Sequence, residues 1–249
     1  MTEKILSFGD ILMNSIGQNK IGIITERMEK KMGYRYLLFD LDGTLTDPKE
    51  GITKSFQYAL KDFGIDEPDI DRLTWMIGPP LIESFMGGYG FTQKQAERGM
   101  AKYRERYTAI GWAENKEYPG IAQTLLKLRE AGFVLATATS KSVDMAEKIL
   151  EHFKLAQYFE VIGGASLDLS RCQKSSVIQY TLDCLNVHEM GQVLMIGDRK
   201  YDALGAQEFG MDCLGVLYGY GSEEELMQAG VAGLVKNAEE LYTWCMAHR

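Results

Sequence analysis

Two aspartates one residue apart, Asp40 and Asp42, follow a run of bulky apolar residues in the segment YLLFDLDGTLT, residues 36–46. Such a run is typical of a strand buried on both faces. Carboxylates at its end can act as a nucleophile, as a general acid or base, or as metal ligands. Gly43 permits a tight turn whose backbone N–H groups can face an anion. An isolated Asp-Gly pair is usually just a turn, but the string DLDGTLT is more specific than a turn requires.

A second pair of carboxylates, Asp198 and Asp202, follows the apolar run VLMIG. If a helix begins after that strand, a spacing of four residues places both carboxylates on one face. Like charges this close are unfavourable without a cation, so the pair predicts a metal site, and carboxylate oxygens suit Mg²⁺. The alternative is a helix cap at Asp198 and a surface side chain at Asp202.

The elements that must position these groups follow from the hydrophobic pattern. Residues 47–118 show helical spacing and no strand pattern, whereas strands and helices alternate from Tyr118 onward. This alternation predicts a parallel sheet with helices on both faces, interrupted by a helical insert. Ligands bind beyond the carboxyl ends of strands in such sheets. That rule selects Asp40, Asp42, Thr139, Ser140 and Asp198 as candidate site residues.

The string DLDGT, residues 40–44, resembles the first motif of the haloacid dehalogenase superfamily of phosphohydrolases. From about Tyr34 onward, the chain is similar to the phosphoglycolate phosphatase and 5′-nucleotidase branch. The resemblance implies a three-layer, Rossmann-like α/β core with an inserted all-helical cap. The core is then 34–46 and 119–249, the cap is 47–118, and residues 1–33 form an N-terminal extension of unassigned role.

The resemblance also implies roles for individual residues. Asp40 is the nucleophile that forms an aspartyl-phosphate, and Asp42 is the general acid and base. Thr139 and Lys174 complete the catalytic set. The implied Mg²⁺ ligands are Asp40, Asp42 through its backbone carbonyl, Asp198 and Asp202. The implied phosphate contacts are Gly43, Thr44, Thr139, Ser140 and Lys174.

Two positions depart from the pattern of this branch. Ser140 stands where many relatives carry Asn, although the following Lys141 matches theirs, and Ser175 stands where relatives often have Pro after the lysine. The presence of Asp42 disfavours dehalogenation, since the dehalogenases of the superfamily lack this second aspartate.

The expected function is therefore hydrolysis of a small phosphomonoester with Mg²⁺, such as phosphoglycolate or a nucleoside monophosphate. Two alternatives stay open. Sugar-phosphate mutases of the same superfamily share these core residues, and a non-catalytic binding protein could use the same fold.

The composition limits the partners. A net charge of −8 and a pI near 5.1 argue against binding nucleic acid or anionic membranes, which requires a basic surface. The four cysteines show no CxxC spacing and suit a reducing cytoplasm. No apolar run is long enough to cross a bilayer. We therefore expect a cytoplasmic monomer or homodimer whose partner is a small phosphorylated metabolite.

Overall fold

The computed structural model describes residues 33–168 and 170–249, so the predicted extension, apart from Gly33, lies outside the described residues. Within that part of the chain, six parallel strands form a sheet in the order β5-β4-β1-β6-β7-β8, and β2 pairs with β3 as a separate antiparallel ribbon. The strands are β1 (Tyr36–Phe39), β2 (Thr46–Asp47), β3 (Lys116–Glu117), β4 (Val134–Ser142), β5 (Val161–Ala165), β6 (Val193–Gly197), β7 (Asp212–Val216) and β8 (Gly233–Val235).

Helices cover both faces of the sheet, which confirms the predicted three-layer α/β fold. In β1, Leu37 and Phe39 pack into one apolar core and Leu38 into the other, as the period of two in a strand requires. The α-helices of the sheet domain are Ile121–Glu130, Val143–His152, Lys174–Leu185, Lys200–Gln207, Glu223–Gln228 and Ala238–Ala247.

The segment between β2 and β3 forms a helical layer with its own apolar core, as expected for an inserted cap. Phe56 lies at its centre, with ring centroids 5.1 Å from Phe85 and 4.8 Å from Tyr103. Its α-helices are Lys49–Lys61, Leu81–Tyr89 and Gln93–Ala109, and its 3₁₀ helices are Ile70–Met76 and Gly111–Ala113. We call Lys49–Ala113 the cap helices.

Most elements lie within a few residues of the sequence prediction. The spacing of Thr92 and Gln95 predicts a capping box, which opens the long cap helix, and a helix predicted at about 174–185 has the bounds Lys174–Leu185. The hydrophobic pattern also predicts a strand at 159–162, but that strand lies at Val161–Ala165, because a 3₁₀ turn precedes it. The sequence analysis did not predict the β2–β3 ribbon or the helix Glu223–Gln228, which are too short to show a periodic pattern.

None of the helices in residues 33–168 and 170–249 combines the length and apolar character that crossing a membrane requires. The four cysteines are free thiols, as predicted.

Candidate active site

Strands β4, β1 and β6 are neighbours in the sheet, so their carboxyl ends meet at one edge. Asp40 follows β1 and Asp198 follows β6, as the sequence predicted. Thr139 does not lie beyond the end of its strand, because β4 continues to Ser142. The pairing of β4 with β5 shifts register between Thr139 and Ser142. Such an irregularity re-aims the local side chains. Thr139 is buried, and its Oγ1 accepts a hydrogen bond from the N–H of Lys141 at 3.3 Å.

Asp40, Asp198 and Asp202 form a buried acidic cluster in which one carboxylate oxygen from each lies within 4.8 Å of the others. Within the described residues, Oδ1 of Asp198 has no hydrogen-bond partner. Burial, with the nearby charges of Asp202 and Asp40, raises the pKa of Asp198 well above its ordinary value. A hard divalent cation with oxygen ligands would relieve both the repulsion and the missing partner. The donor set therefore fits the metal ion that the sequence implied.

Lys174 provides the buried cation beside this cluster. Its Nζ lies 2.7 Å from Oδ1 of Asp202 and 3.1 Å from Oδ1 of Asp40, and it donates a hydrogen bond to the Ala138 carbonyl at 3.0 Å. Burial alone would lower the pKa of Lys174, but the charges of Asp202 and Asp40 outweigh it and raise the pKa. Lys174 is therefore a charged ammonium group held in place on three sides.

Asp42 pairs with Lys141, since its Oδ2 lies 2.7 Å from Nζ. Burial raises the pKa of Asp42 even though Lys141 acts in the opposite direction. The same ammonium group donates a hydrogen bond to the hydroxyl of Tyr107 on the long cap helix. Lys141 thus connects a core carboxylate to the cap helices, a contact that the sequence analysis did not predict.

The turn after β1 is built against the acidic cluster. Gly43 has φ +83°, and a Cβ there would lie 2.1 Å from Oδ2 of Asp198, so only glycine fits. Thr44 is fully buried, and its Oγ1 has no hydrogen-bond partner in the described part of the chain. Its carbonyl accepts a hydrogen bond from the Tyr218 hydroxyl at 3.0 Å.

A cavity of about 170 Å³ lies between the strand ends and the cap helices. Of the residues predicted from the sequence, it is lined by Asp40, Asp42, Thr139 and Ser140. Gly43, Thr44, Lys174, Asp198 and Asp202 lie behind these and do not line it. Cap residues that line it include Met76, Pro79, Leu81, Met100, Tyr103 and Tyr107. The cavity therefore joins the predicted nucleophile to a mainly apolar space under the cap.

Two further residues hold the cap against the core, and the sequence analysis did not single them out. Arg199 donates hydrogen bonds to the Ile77 carbonyl and, at 2.9 Å, to Oε1 of Glu225. Tyr220 donates its N–H to Oδ2 of Asp198 at 2.7 Å and its hydroxyl to the carboxylate of Asp47. The GDR triplet at residues 197–199 was visible in the sequence, but the partner of its arginine lies more than a hundred positions earlier.

Residues 37–216 match the family model described as haloacid dehalogenase-like hydrolase. A 5′-nucleotidase from Pseudomonas aeruginosa is 47% identical over 193 residues, which cover 78% of this chain and 87% of that protein. The tyrosine-protein kinase PtkA from Mycobacterium tuberculosis is 44% identical over 186 residues, covering 74% of this chain and 62% of the kinase.

A phosphoglycolate phosphatase from Colwellia psychrerythraea is 30% identical over 202 residues, covering 78% of this chain and 89% of that enzyme. Among solved structures, a predicted phosphatase from Clostridium acetobutylicum superposes with a TM-score of 0.84 at 45% identity. That match covers 86% of this chain and 99% of the clostridial chain.

Proposed function

The chain belongs to the haloacid dehalogenase-like hydrolase family and is a phosphatase of that family, and we propose that it hydrolyses a small phosphomonoester with Asp40 as the nucleophile and Mg²⁺ as the cofactor. The observation that carries the proposal is the position of Asp40. Its carboxylate lines the cavity, contacts the Lys174 ammonium and belongs to the acidic cluster.

In the first half of the proposed reaction, a carboxylate oxygen of Asp40 forms a bond to phosphorus and the bond from phosphorus to the ester oxygen breaks. Asp42 donates a proton to that leaving oxygen, so the alcohol departs neutral. In the second half, Asp42 takes a proton from water, which attacks phosphorus and releases phosphate from Asp40. The raised pKa of Asp42 suits a group that must carry a proton in one half and release it in the other.

Other residues of the chain hold the phosphoryl group. Lys174 sets a fixed positive charge beside Asp40, and Thr139 offers a hydroxyl from the neighbouring strand. Asp40, Asp198, Asp202 and the backbone carbonyl of Asp42 would hold the metal ion. When bound, Mg²⁺ supplies positive charge that offsets the negative charge of the phosphoryl oxygens. The turn residues Gly43 and Thr44, and Ser140, are proposed as further phosphate contacts.

We propose residues 47–118 as a cap that covers the substrate, because residues of this segment line the same cavity as Asp40. Nucleoside monophosphates are the favoured substrates, given the similarity to a 5′-nucleotidase, and phosphoglycolate is the second choice. A cytoplasmic monomer or homodimer that binds a small phosphorylated metabolite stays the expectation for location and partners.

The similarity to PtkA supports a second candidate, transfer of the phosphoryl group from Asp40 to an acceptor other than water. A sugar-phosphate mutase would also transfer to another hydroxyl. Both use the same residues of the core, so the reaction products must distinguish them.

The test is a screen of the purified full chain against nucleoside monophosphates, phosphoglycolate and sugar phosphates, with and without Mg²⁺. We expect release of inorganic phosphate that depends on Mg²⁺ and is lost in Asp40→Asn. Transfer of the phosphoryl group to a second organic compound, without release of inorganic phosphate, would favour a transferase. Activity that persists in Asp40→Asn would refute the proposal.

A further inference from the structure

Two side chains of opposite charge line the cavity under the cap without pairing with each other. Asp144 comes from the first turn of Val143–His152, and Arg104 comes from the long cap helix. In the described part of the chain, neither takes part in an ion pair, and Oδ1 of Asp144 is buried without a hydrogen-bond partner. The nearby Lys141 is already engaged by Asp42 and Tyr107. Burying a carboxylate oxygen without a hydrogen-bond donor is unfavourable, so a ligand that donates a hydrogen bond to Asp144 would bind favourably in the cavity.

The remaining walls favour a flat, apolar-faced group. Met76, Leu81, Met100 and Met145 line the cavity, together with Tyr103 and Tyr107, whose rings stack with centroids 5.2 Å apart. Flexible methionine side chains can adjust to the face of a planar base, and the edges of the two tyrosine rings add further apolar contact. At about 170 Å³ the cavity is small, so a one-ring base fits it better than a two-ring base.

We infer that the cavity is a specificity site for the base of a pyrimidine nucleoside monophosphate, and that Asp144 and Arg104 select cytosine over uracil. This inference rests on the proposed phosphatase function. Cytosine presents an exocyclic amino donor beside ring and carbonyl acceptors. Asp144 can accept from that amino group, while the fork of Arg104 donates to the two acceptors. Uracil has a carbonyl in place of the amino group and an N–H in place of the ring acceptor, so both contacts become repulsive.

Phosphoserine offers a related pattern, because its ammonium and carboxylate groups could also pair with Asp144 and Arg104. It lacks an apolar ring to contact the methionines, and its two charges would leave water for mainly apolar walls, which is costly. Cytosine therefore matches both the charged and the apolar walls of the cavity, whereas phosphoserine matches only Asp144 and Arg104. The test therefore includes phosphoserine as well as CMP, so that it shows which of the two compounds the cavity selects.

The test compares kcat/KM for CMP and UMP, two substrates of nearly equal size, in the parent protein and in Asp144→Asn. We expect CMP to be preferred by roughly tenfold to a hundredfold, the range of one hydrogen bond to a charged group. Asp144→Asn should reduce that preference severalfold without abolishing it, because the amide can also donate to the uracil carbonyl while Arg104 still faces the ring N–H of uracil. The change should appear mainly in KM, since the contact lies away from the bond that breaks. Glu147→Gln, an exposed site on the same helix, should keep the preference.

Three results would overturn the inference: equal use of CMP and UMP, an equal loss for both in Asp144→Asn, or phosphoserine as the better substrate. A calorimetric titration with cytidine and uridine tests the cavity separately from turnover, and the preference for cytidine should be smaller in Asp144→Asn than in the parent protein. If the proposed phosphatase function itself is wrong, the result is different, because the parent protein then turns over no phosphomonoester. Melting temperatures of the two variants within a degree or so of the parent exclude misfolding as the cause.

Discussion

The Nζ atom of Lys141 lies 2.7 Å from the Oδ2 atom of Asp42, and its other hydrogen-bond partner, the hydroxyl of Tyr107, belongs to the cap. The proposed general acid is therefore connected to the long cap helix through one ammonium group. When the cap is in place, Lys141 is fixed from both sides, which also fixes the orientation of Asp42. This relationship leads to the first prediction.

Tyr107→Phe removes the hydroxyl that holds Lys141 but keeps the ring. We expect kcat to fall roughly threefold to tenfold, the effect of losing one neutral hydrogen-bond partner. Tyr103→Phe is the matched control, because Tyr103 stacks on the same ring and has no hydrogen bond to Lys141. Steady-state kinetics on one substrate measures both variants. Equal losses in the two would remove the lysine contact as the cause.

Asp40→Asn keeps the shape of the side chain and removes the nucleophile. We expect turnover to fall by at least roughly a thousandfold with the fold intact, because Lys174 keeps its contact with Asp202. Beryllium fluoride with Mg²⁺, which mimics an acyl phosphate, should bind the parent protein and not the variant, as ¹⁹F NMR can measure. Turnover within tenfold of the parent would exclude Asp40 as the nucleophile.

Asp198→Asn should weaken Mg²⁺ binding more than Asp202→Asn does. Neither Oδ1 of Asp198 nor Oδ1 of Asp202 has a hydrogen-bond partner in the described chain, but Oδ1 of Asp202 lies 2.7 Å from the Lys174 ammonium, whereas Oδ1 of Asp198 has no cation beside it. A ligand that binds the folded state raises its stability, so the rise in melting temperature on adding Mg²⁺ reports binding without turnover. We expect that rise to vanish in Asp198→Asn and to persist, reduced, in Asp202→Asn. The reverse order would contradict the assignment.

Replacing Pro79 and Pro80 together by Gly should reduce selectivity among phosphomonoesters and leave the Mg²⁺ requirement unchanged. Both prolines line the cavity, and proline restricts the backbone that glycine frees. We expect the spread of kcat/KM across a substrate panel to narrow severalfold. Pro68→Gly, at an exposed cap position outside the cavity, is the control. An unchanged ranking of substrates with an altered metal requirement would show that the cap does not select the substrate.

Gly43→Ala and Gly64→Ala form a matched pair, since both residues have positive φ, +83° and +72°. The left-handed backbone should cost each variant about 1–2 kcal/mol of unfolding free energy. A Cβ at Gly64 meets nothing within 4 Å, whereas at Gly43 it meets Asp198. Denaturation should therefore show a larger loss of unfolding free energy in Gly43→Ala, which adds this steric clash to the backbone strain, and only Gly43→Ala should also lose the stabilisation by Mg²⁺. If both variants respond to Mg²⁺ like the parent, the turn does not position Asp198.

The sequence predicted those parts of the site that depend on the sheet. Long apolar runs mark β1 and β6, and neighbouring parallel strands bring their carboxyl ends together whatever the details of packing. The sequence alone therefore predicts that Asp40 and Asp198 lie at one edge of the sheet. Lys174 was predicted from the resemblance to the haloacid dehalogenase superfamily, and its ammonium contacts both Asp40 and Asp202.

The contacts between cap and core could not be predicted in this way. The pairs Lys141–Tyr107 and Arg199–Ile77 depend on how the cap helices sit over the sheet, and no periodic pattern encodes that placement. The unpaired state of Asp144 was equally invisible, because a carboxylate in the first turn of a helix is also common for its favourable interaction with the helix dipole.

The central position of β1 in the sheet has a consequence for how the protein is made. Its two neighbours begin at Val134 and Val193, so the strand that carries Asp40 is synthesised long before either partner exists. Pairings between such distant segments form slowly, and the domain can close only after β6 has left the ribosome. A nascent chain that ends before Lys174 therefore contains Asp40 and Asp42 but lacks the Lys174 ammonium and the carboxylates of Asp198 and Asp202. On the proposed assignment of Asp202 as a metal ligand, activity requires that synthesis has passed Asp202.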